Sequence, residues 1–399
     1  MKKWTVLAII LLLILTGCGS QHAGSPTASP SLILGADVSS LISLENSGVV
    51  YHDFDGQQKD LLDILSQAGV NCIRVRVWND PYDGASNGYG GGNCDLSNAI
   101  ALGKRAKEYG MGLLVDFHYS DFWADPGKQQ APKAWQSMTF EEKKQSIYDY
   151  TAESIRTMEA QGTDLWMVQI GNETTAGFCG ETSVSGQYTL MASAAKAVRD
   201  VNPQIQIVVH YTNPESLDYG YFADKLREFG VEYDIFATSY YPHWHGSLEN
   251  LKSQLQTVVD GSGKKVMIAE TSWAYTPQDT DGHQNSVSAD HGGHLWPMTR
   301  DGQAQALTDI IKTMESFGSM NAGVFYWEPG WIAVPGGSWE ERSLLWETWG
   351  SGWASSFAGE YDPEDAGRYY GGSACDNQAL FDSSGNPLPA LRCFSTGGT

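Results

Sequence analysis

Two rhythms of apolar and polar positions interleave along this chain. Short β-rich runs recur at residues 32–38, 72–78, 112–118, 166–170, 205–210, 235–240, 265–269 and 323–327. Their length and near-continuous apolar character suit strands covered on both faces. Stretches with helical spacing lie between them, at 60–68, 96–109, 140–160, 188–200, 248–259 and 303–317. Gly69 and Gly110 follow two of these stretches, where a left-handed cap favours a residue without a Cβ. Asn202-Pro203 ends another. Eight strands alternating with helices predict an α/β fold, a (β/α)8 TIM barrel. The competing arrangement is a doubly wound sheet, but no glycine-rich dinucleotide fingerprint follows the first strand. With no repeat and no internal linker, residues 32–399 read as a single domain.

The first residues follow a different pattern. Met1-Lys2-Lys3 is basic, Leu7 to Leu15 is apolar and short for a bilayer span, and Leu15-Thr16-Gly17-Cys18 follows. The order resembles a bacterial lipobox. It predicts a signal peptide over 1–17, acylation of Cys18, and a flexible Ser/Gly/Ala/Pro tether over 18–31. An ordinary signal peptide with a chance cysteine is the alternative. The expected product is exported and held to a membrane by lipid alone, at the cell surface or facing the periplasm.

Export implies an oxidising compartment. Beyond Cys18 the chain has Cys72, Cys94, Cys179, Cys375 and Cys393, an odd number that leaves at least one thiol free. Cys72 lies within a strand pattern and is the candidate buried thiol. Cys375 with Cys393, and Cys94 with Cys179, are candidate pairs.

Charge narrows the partners. Lys+Arg 25 against Asp+Glu 47 gives a net charge of −22 over 399 residues, which argues against nucleic acid. Charged residues are only 18 % while Trp reaches 14, a balance suited to a neutral ligand with flat apolar faces such as a sugar. A Trp-rich core is the other explanation.

In a barrel of this kind, chemistry sits where strands end. Here the predicted ends carry Asp37, Arg74 and Arg76, Asp116 to Asp121, Asn172-Glu173, His210, Tyr240-Tyr241, Glu270 and Trp327-Glu328. Glu173 and Glu270 each close a strongly apolar strand, on opposite sides of the mouth. Two carboxyls flanking one linkage are what glycoside hydrolysis requires. On this reasoning alone Asp116, Asp121 and Glu328 compete with them.

Gly171-Asn172-Glu173, Ile268-Ala269-Glu270-Thr271, Arg74-Val75-Arg76-Val77-Trp78, Asp116-Phe117-His118-Tyr119-Ser120-Asp121 and Ser239-Tyr240-Tyr241-Pro242 together resemble the arabinogalactan endo-β-1,4-galactanases of glycoside hydrolase family 53. The resemblance runs from about Leu32 to Cys393. It implies endo-acting, retaining hydrolysis of β-1,4-galactan, the side chain of type I arabinogalactan. It makes Glu173 the general acid/base and Glu270 the nucleophile. Arg76 is then expected to hold Glu270 ionised and Tyr240 to orient it, with Tyr241 the alternative. Asn172 is expected to hold the sugar 2-hydroxyl, and His118 to line the same subsite. Arg76 paired with Asp116 or another interior acid is the structural alternative. Trp78, Trp123, Trp273, Trp327 and Trp331 become candidates for stacking on galactose, with Trp327 flooring the central subsite and Trp273 also counted as substrate-binding; Trp166 reads as core.

A second constellation follows the seventh strand. Asp279-Thr280-Asp281-Gly282-His283-Gln284-Asn285 places polar groups at every second position, but is not an EF-hand. It is similar to the Asp-x-Asp-x-His-x-Asn run that binds calcium in bacterial members of the family. Ser373 and Asp376 match the second half of that site. Structural calcium is therefore expected at Asp279, Asp281, His283, Asn285, Ser373 and Asp376, with His283 giving a carbonyl. His243, His245, His291 and His294 form no complete zinc set. No organic cofactor is expected, and the chain reads as a monomer. The competing functions are another β-1,4-glycanase, such as a mannanase or cellulase, and a non-catalytic surface glycan-binding lipoprotein.

Overall fold

The structure, a computed structural model, describes residues 32–289, 296–368 and 370–395. The expected signal peptide, Cys18 and tether lie outside the described residues, as do His291 and His294.

Eight parallel strands close into a barrel: β1 (Ile33–Asp37), β2 (Cys72–Val77), β3 (Gly112–Phe117), β4 (Leu165–Ile170), β5 (Gln206–Tyr211), β6 (Ile235–Ser239), β7 (Lys265–Thr271) and β8 (Asn321–Tyr326). All eight expected strands are present, with ends displaced by one or two residues. Helices α1 (Leu41–Asn46), α2 (Leu61–Ala68), α3 (Leu96–Glu108), α4 (Phe140–Ala160), α5 (Val184–Val201), α6 (Tyr219–Glu228), α7 (Leu248–Ser262) and α8 (Arg300–Glu315) separate them. After β8 come α9 (Trp339–Trp349) and the short α10 (Pro363–Arg368). The helix α5 starts earlier than its apolar spacing suggested because the Ser183 side chain caps the Gly186 N–H. The unpredicted helices α6 and α9 likewise start at side-chain caps, Asp218 and Ser338.

Strand alternation divides the interior in two. Ile73, Val75 and Val77 of β2 pack outward in the main core with helix residues such as Leu65 and Leu102. Cys72 faces the lumen, where Ile33, Leu114, Met167, Val208, Ala237, Met267 and Phe325 join it in a separate apolar cluster. On β1 to β6 the same alternation leads from an apolar residue at the bottom of the lumen to a polar residue at the top. The C-terminal residues Leu391 and Phe394 return to bury themselves against α2 and α8.

The five cysteines in the described residues are free thiols, so neither expected pair forms. Cys94 Sγ faces the Ser39 and Gly91 carbonyls, Cys375 lies 3.3 Å from Ser373 Oγ, and Cys393 lies 3.4 Å from Thr308 Oγ1. Cys72 is buried, as its strand pattern implied, and so are Cys94, Cys179 and Cys375.

Gly35 shows how tightly the lumen is filled: a Cβ there would lie 2.3 Å from the Phe325 ring. Gly35→Ala is expected to destabilise the protein by about 1–3 kcal/mol through overpacking. Gly261→Ala, in the last turn of α7 with open space around it, is expected to stabilise it by about 0.5–1 kcal/mol. Thermal midpoints ordered Gly261→Ala, wild type, Gly35→Ala are the expected result; a Gly35→Ala protein as stable as wild type contradicts the packing described.

Candidate active site

At the C-terminal mouth of the barrel a cavity of about 340 Å³ is lined by Arg74, Asn172, Glu173, Tyr241, Glu270 and Trp327, among others. Its base is a buried ionic layer. Arg74 projects inward from β2 and is 1 % exposed. Its guanidinium reaches Asp37 of β1 at 2.8 Å, Asp116 of β3 at 2.7 Å and Glu270 of β7 at 2.9 Å. It also donates to Gln169 Oε1 and Asn172 Oδ1. Burial opposes the charge on Asp116, yet Arg74 and the neighbouring His118 hold its carboxyl below the usual range.

Glu270 reaches this layer through a β-bulge. Thr238 of β6 pairs with Ile268, but the next residue, Ser239, pairs with Glu270, so Ala269 is skipped. Ala269 and Glu270 can then both face inward, against strict alternation. One Glu270 oxygen meets Arg74, and the other accepts a hydrogen bond from Tyr241 Oη at 2.8 Å. Burial raises the Glu270 pKa, while Arg74 and Tyr241 oppose that rise.

Glu173 stands just past β4 on a left-handed backbone, φ 45°. Its Oε1 accepts from Ser239 Oγ at 2.6 Å, and no cation among the described residues contacts it. Burial first, then the Glu270 charge, pushes its pKa up strongly. The two acids therefore differ in kind: Glu270 has a guanidinium and a phenol as donors, Glu173 only hydroxyls. Where one proton is shared between them, Glu173 holds it.

Several expected roles move to neighbouring residues. The cation on Glu270 is Arg74, not Arg76. Arg76 sits one pleat higher, pairs with Glu328 at 2.6 Å, and lies 4.4 Å over the Trp123 ring. The interior ion pair weighed for Arg76 thus exists, with Glu328 as its acid. The phenol on Glu270 is Tyr241, not Tyr240. Inward positions on β6 continue through Ala237 and Ser239 to Tyr241, whereas the Tyr240 hydroxyl donates to the Gly246 carbonyl outside. Tyr240 meets Glu270 only through its backbone N–H.

Asn172 and His118 both line the cavity. Asn172 Nδ2 donates to the Ala124 carbonyl. His118 Nδ1 accepts from Trp78 Nε1 and the Ala124 N–H, leaving Nε2–H for Asp116. Trp327 lines the cavity with Trp123, Trp244 and Trp353. Trp123 and Trp353 stack at 4.5 Å. Trp273 does not line it: the side chain is 1 % exposed, packs against Trp296, and donates to the Pro297 carbonyl behind the wall. Trp78 and Trp331 are fully buried beneath the aromatic wall. Trp353 comes from the loop after α9, away from any strand end, where no sequence signal marks it.

The acidic loop after β7 meets the C-terminal segment as expected. Carboxyl oxygens of Asp279, Asp281 and Asp376 lie within 4.8 Å of one another. Asp281 accepts from the Ser373 and His283 N–H groups, and Asp376 from Asn285 Nδ2. Asn285 Oδ1 is buried without a hydrogen-bond partner among the described residues. Burial and the neighbouring Asp376 charge push Asp281 up to about 7.

This geometry can be set beside known proteins. The profile of glycosyl hydrolase family 53 matches residues 33–394. The endo-β-1,4-galactanase of Bacillus subtilis is 53 % identical over 364 residues, 91 % of this chain and 85 % of that one. The arabinogalactan endo-β-1,4-galactanase of Humicola insolens is 34 % identical, covering 75 % and 89 %. Among solved structures, the family 53 catalytic domain of Ignisphaera aggregans superposes with a TM-score of 0.81 at 37 % identity, covering 93 % of this chain and 98 % of that domain. A barrel carrying two inward glutamates at the ends of β4 and β7, matched along its length, leaves one conclusion: the chain belongs to glycosyl hydrolase family 53.

Proposed function

We propose that this glycoside hydrolase cleaves internal β-1,4-galactosidic linkages of pectic galactan by a retaining double displacement, with Glu270 as nucleophile and Glu173 as acid/base. The observation that carries the roles is the unequal surroundings of the two acids. Glu270, ionised against Arg74, attacks the anomeric carbon while Glu173 gives its proton to the departing oxygen. The resulting ester removes the Glu270 charge. That charge is one of the forces raising the Glu173 pKa, so Glu173 becomes more acidic when it must deprotonate water in the second half. Trp327 and the Trp123–Trp353 pair offer apolar faces for galactose rings.

Calcium fits the acidic loop. Three carboxyls converge there, a buried Asn285 oxygen has no donor among the described residues, and burial together with neighbouring carboxylates raises the Asp281 and Asp376 pKa values. Asp279, Asp281, Asp376 and Asn285 would hold it by side-chain oxygens, with Ser373 and the His283 carbonyl beside them. It would tie the loop after β7 to the C-terminal segment, whose Ala374 and Cys375 border the cavity. Acylation of Cys18 would tether the barrel to a membrane through residues 18–31.

Four outcomes test this reading. Wild type releases reducing ends from β-1,4-galactan and not from mannan or β-1,4-glucan, with kcat/KM falling as pH rises through about 8, where Glu173 loses its proton. Glu173→Gln lowers that kcat/KM by about 10²–10⁴-fold and abolishes the alkaline limb; an unchanged limb assigns it to another group. Glu270→Ala is inactive, and azide restores turnover of an aryl β-galactobioside with the α-azide as product. A β-azide reverses the nucleophile assignment. Chelation lowers the thermal midpoint of wild type by mass action, while Asp281→Asn no longer responds; equal midpoints with and without chelator dismiss the ion.

A further inference from the structure

Glu173 is gripped at both ends by one side chain outside the catalytic pair. His210 projects inward from β5 and is fully buried. Its Nδ1 accepts from the Glu173 backbone N–H at 3.3 Å and from Gln169 Nε2 at 3.0 Å. Two donors at Nδ1 assign the ring proton to Nε2. Nε2 lies 2.9 Å from Ser239 Oγ, and that hydroxyl reaches Glu173 Oε1 at 2.6 Å. With Nε2–H donating to Ser239, the serine hydrogen is committed to the carboxyl. Asn172 Oδ1 also lies 3.0 Å from Nδ1, and the Gln169 amide donates to both acceptors.

We propose that His210 acts, through Ser239, as a neutral positioning residue that aims the Glu173 carboxyl. This rests on the acid/base reading of Glu173. One ring fixes the left-handed backbone at Glu173 and, through the serine, the oxygen facing away from substrate. The proton to be donated is thereby left on the other oxygen, toward the cleft. The relay needs an uncharged ring, because a second ring proton on Nδ1 would confront the Glu173 N–H. The surroundings favour that state: burial and the Arg74 charge oppose protonation, against Asp116, with His118 adding to the opposition. Among the described residues, the charged or titratable groups facing Glu173 besides His210 are Glu270 of β7, Asp125 of the loop after β3, Tyr219 of α6 and Tyr241 beyond β6.

A positioning role predicts a dependence on leaving group that a packing role does not. Galactan has an alkoxide leaving group that needs the acid; dinitrophenolate does not. Ser239→Ala and His210→Phe are expected to lower kcat/KM on galactan by about tenfold or more, part of the 10²–10⁴-fold a general acid supplies. On dinitrophenyl β-galactobioside both variants stay near wild type. His210→Gln, whose amide can donate to Ser239, recovers part of the loss. In Ser239→Ala the alkaline limb on galactan moves to higher pH, because a donor favouring the carboxylate is gone. Parallel losses on both substrates, no loss on galactan, or an unmoved limb overturn the proposal. Glu173→Ala separates the two readings. If it spares the dinitrophenyl substrate and azide yields the β-azide, the acid/base assignment stands whatever the His210 and Ser239 variants do; if not, that assignment fails first.

Discussion

Arg74 brings three strands to one point. Asp37, Asp116 and Glu270 each contact its guanidinium in a region closed to solvent. Burying such ions costs several kcal/mol apiece, and only close, well-directed contacts offset that cost. The arrangement therefore fixes geometry more than it adds stability. Glu270 cannot turn from the anomeric carbon without giving up its contact with Arg74. The surplus of acid has a chemical consequence too. Among the described residues, Asp37, Asp116, Glu173, Glu270 and Glu328 share the mouth with only Arg74 and Arg76 as permanent cations. A proton must be retained somewhere, and it costs least to keep it on Glu173, which neither cation contacts. The same surplus stabilises the positive charge that develops on the sugar ring.

The layering behind this follows from the two-residue period of a strand. On β2 the inward sequence is Cys72, Arg74, Arg76; on β3 it is Leu114, Asp116, His118; on β6 it is Ala237, Ser239, Tyr241. Each strand delivers an apolar residue to the lumen floor, a polar residue to the ionic layer and a third to the substrate surface. The floor matters because it excludes water from below, which strengthens every contact of Arg74.

That period made much of the site legible from sequence. Eight apolar runs with polar ends give the barrel, and Glu173 and Glu270 stand out as acids closing two of them. The period also contains the answer for Tyr241, since 237, 239 and 241 share one face and Tyr240 lies on the other. Arg74 and Arg76 are harder, because both face inward and their difference is depth. Depth depends on the stagger of neighbouring strands, which only pairing such as Arg76 opposite Asp116 reveals. The bulge at Ala269 is harder still. Strict alternation would turn Glu270 outward, and nothing in Ile268-Ala269-Glu270 announces the extra residue. Trp273 fails for the opposite reason: it follows a strand end yet packs against Trp296, in the wall behind the cleft. Helix α9 escaped because its apolar residues share no single face, and Trp339, Leu344 and Trp349 remain exposed.

Backbone strain at the mouth completes the picture. Tyr119, Glu173 and Glu328 lie just beyond β3, β4 and β8, and each adopts a left-handed backbone, φ 49°, 45° and 47°. For residues with a Cβ this costs on the order of 1 kcal/mol each. A strand end ordinarily carries its chain away from the barrel axis. At Glu173 and Glu328 the left-handed residue turns its side chain back over the mouth, whereas the Tyr119 ring stays in the outer core, with its hydroxyl on Thr151 of α4. At Glu173 the cost is met by contacts on either side: its N–H is held by His210 Nδ1, and the Thr174 N–H by the His210 carbonyl. A residue free to relax to the right-handed side would swing its carboxyl off the cleft. The strain is thus the local cost of having an acid at the end of an apolar strand face a bond lying across the top of the barrel, and β5 supplies the contacts that keep it there.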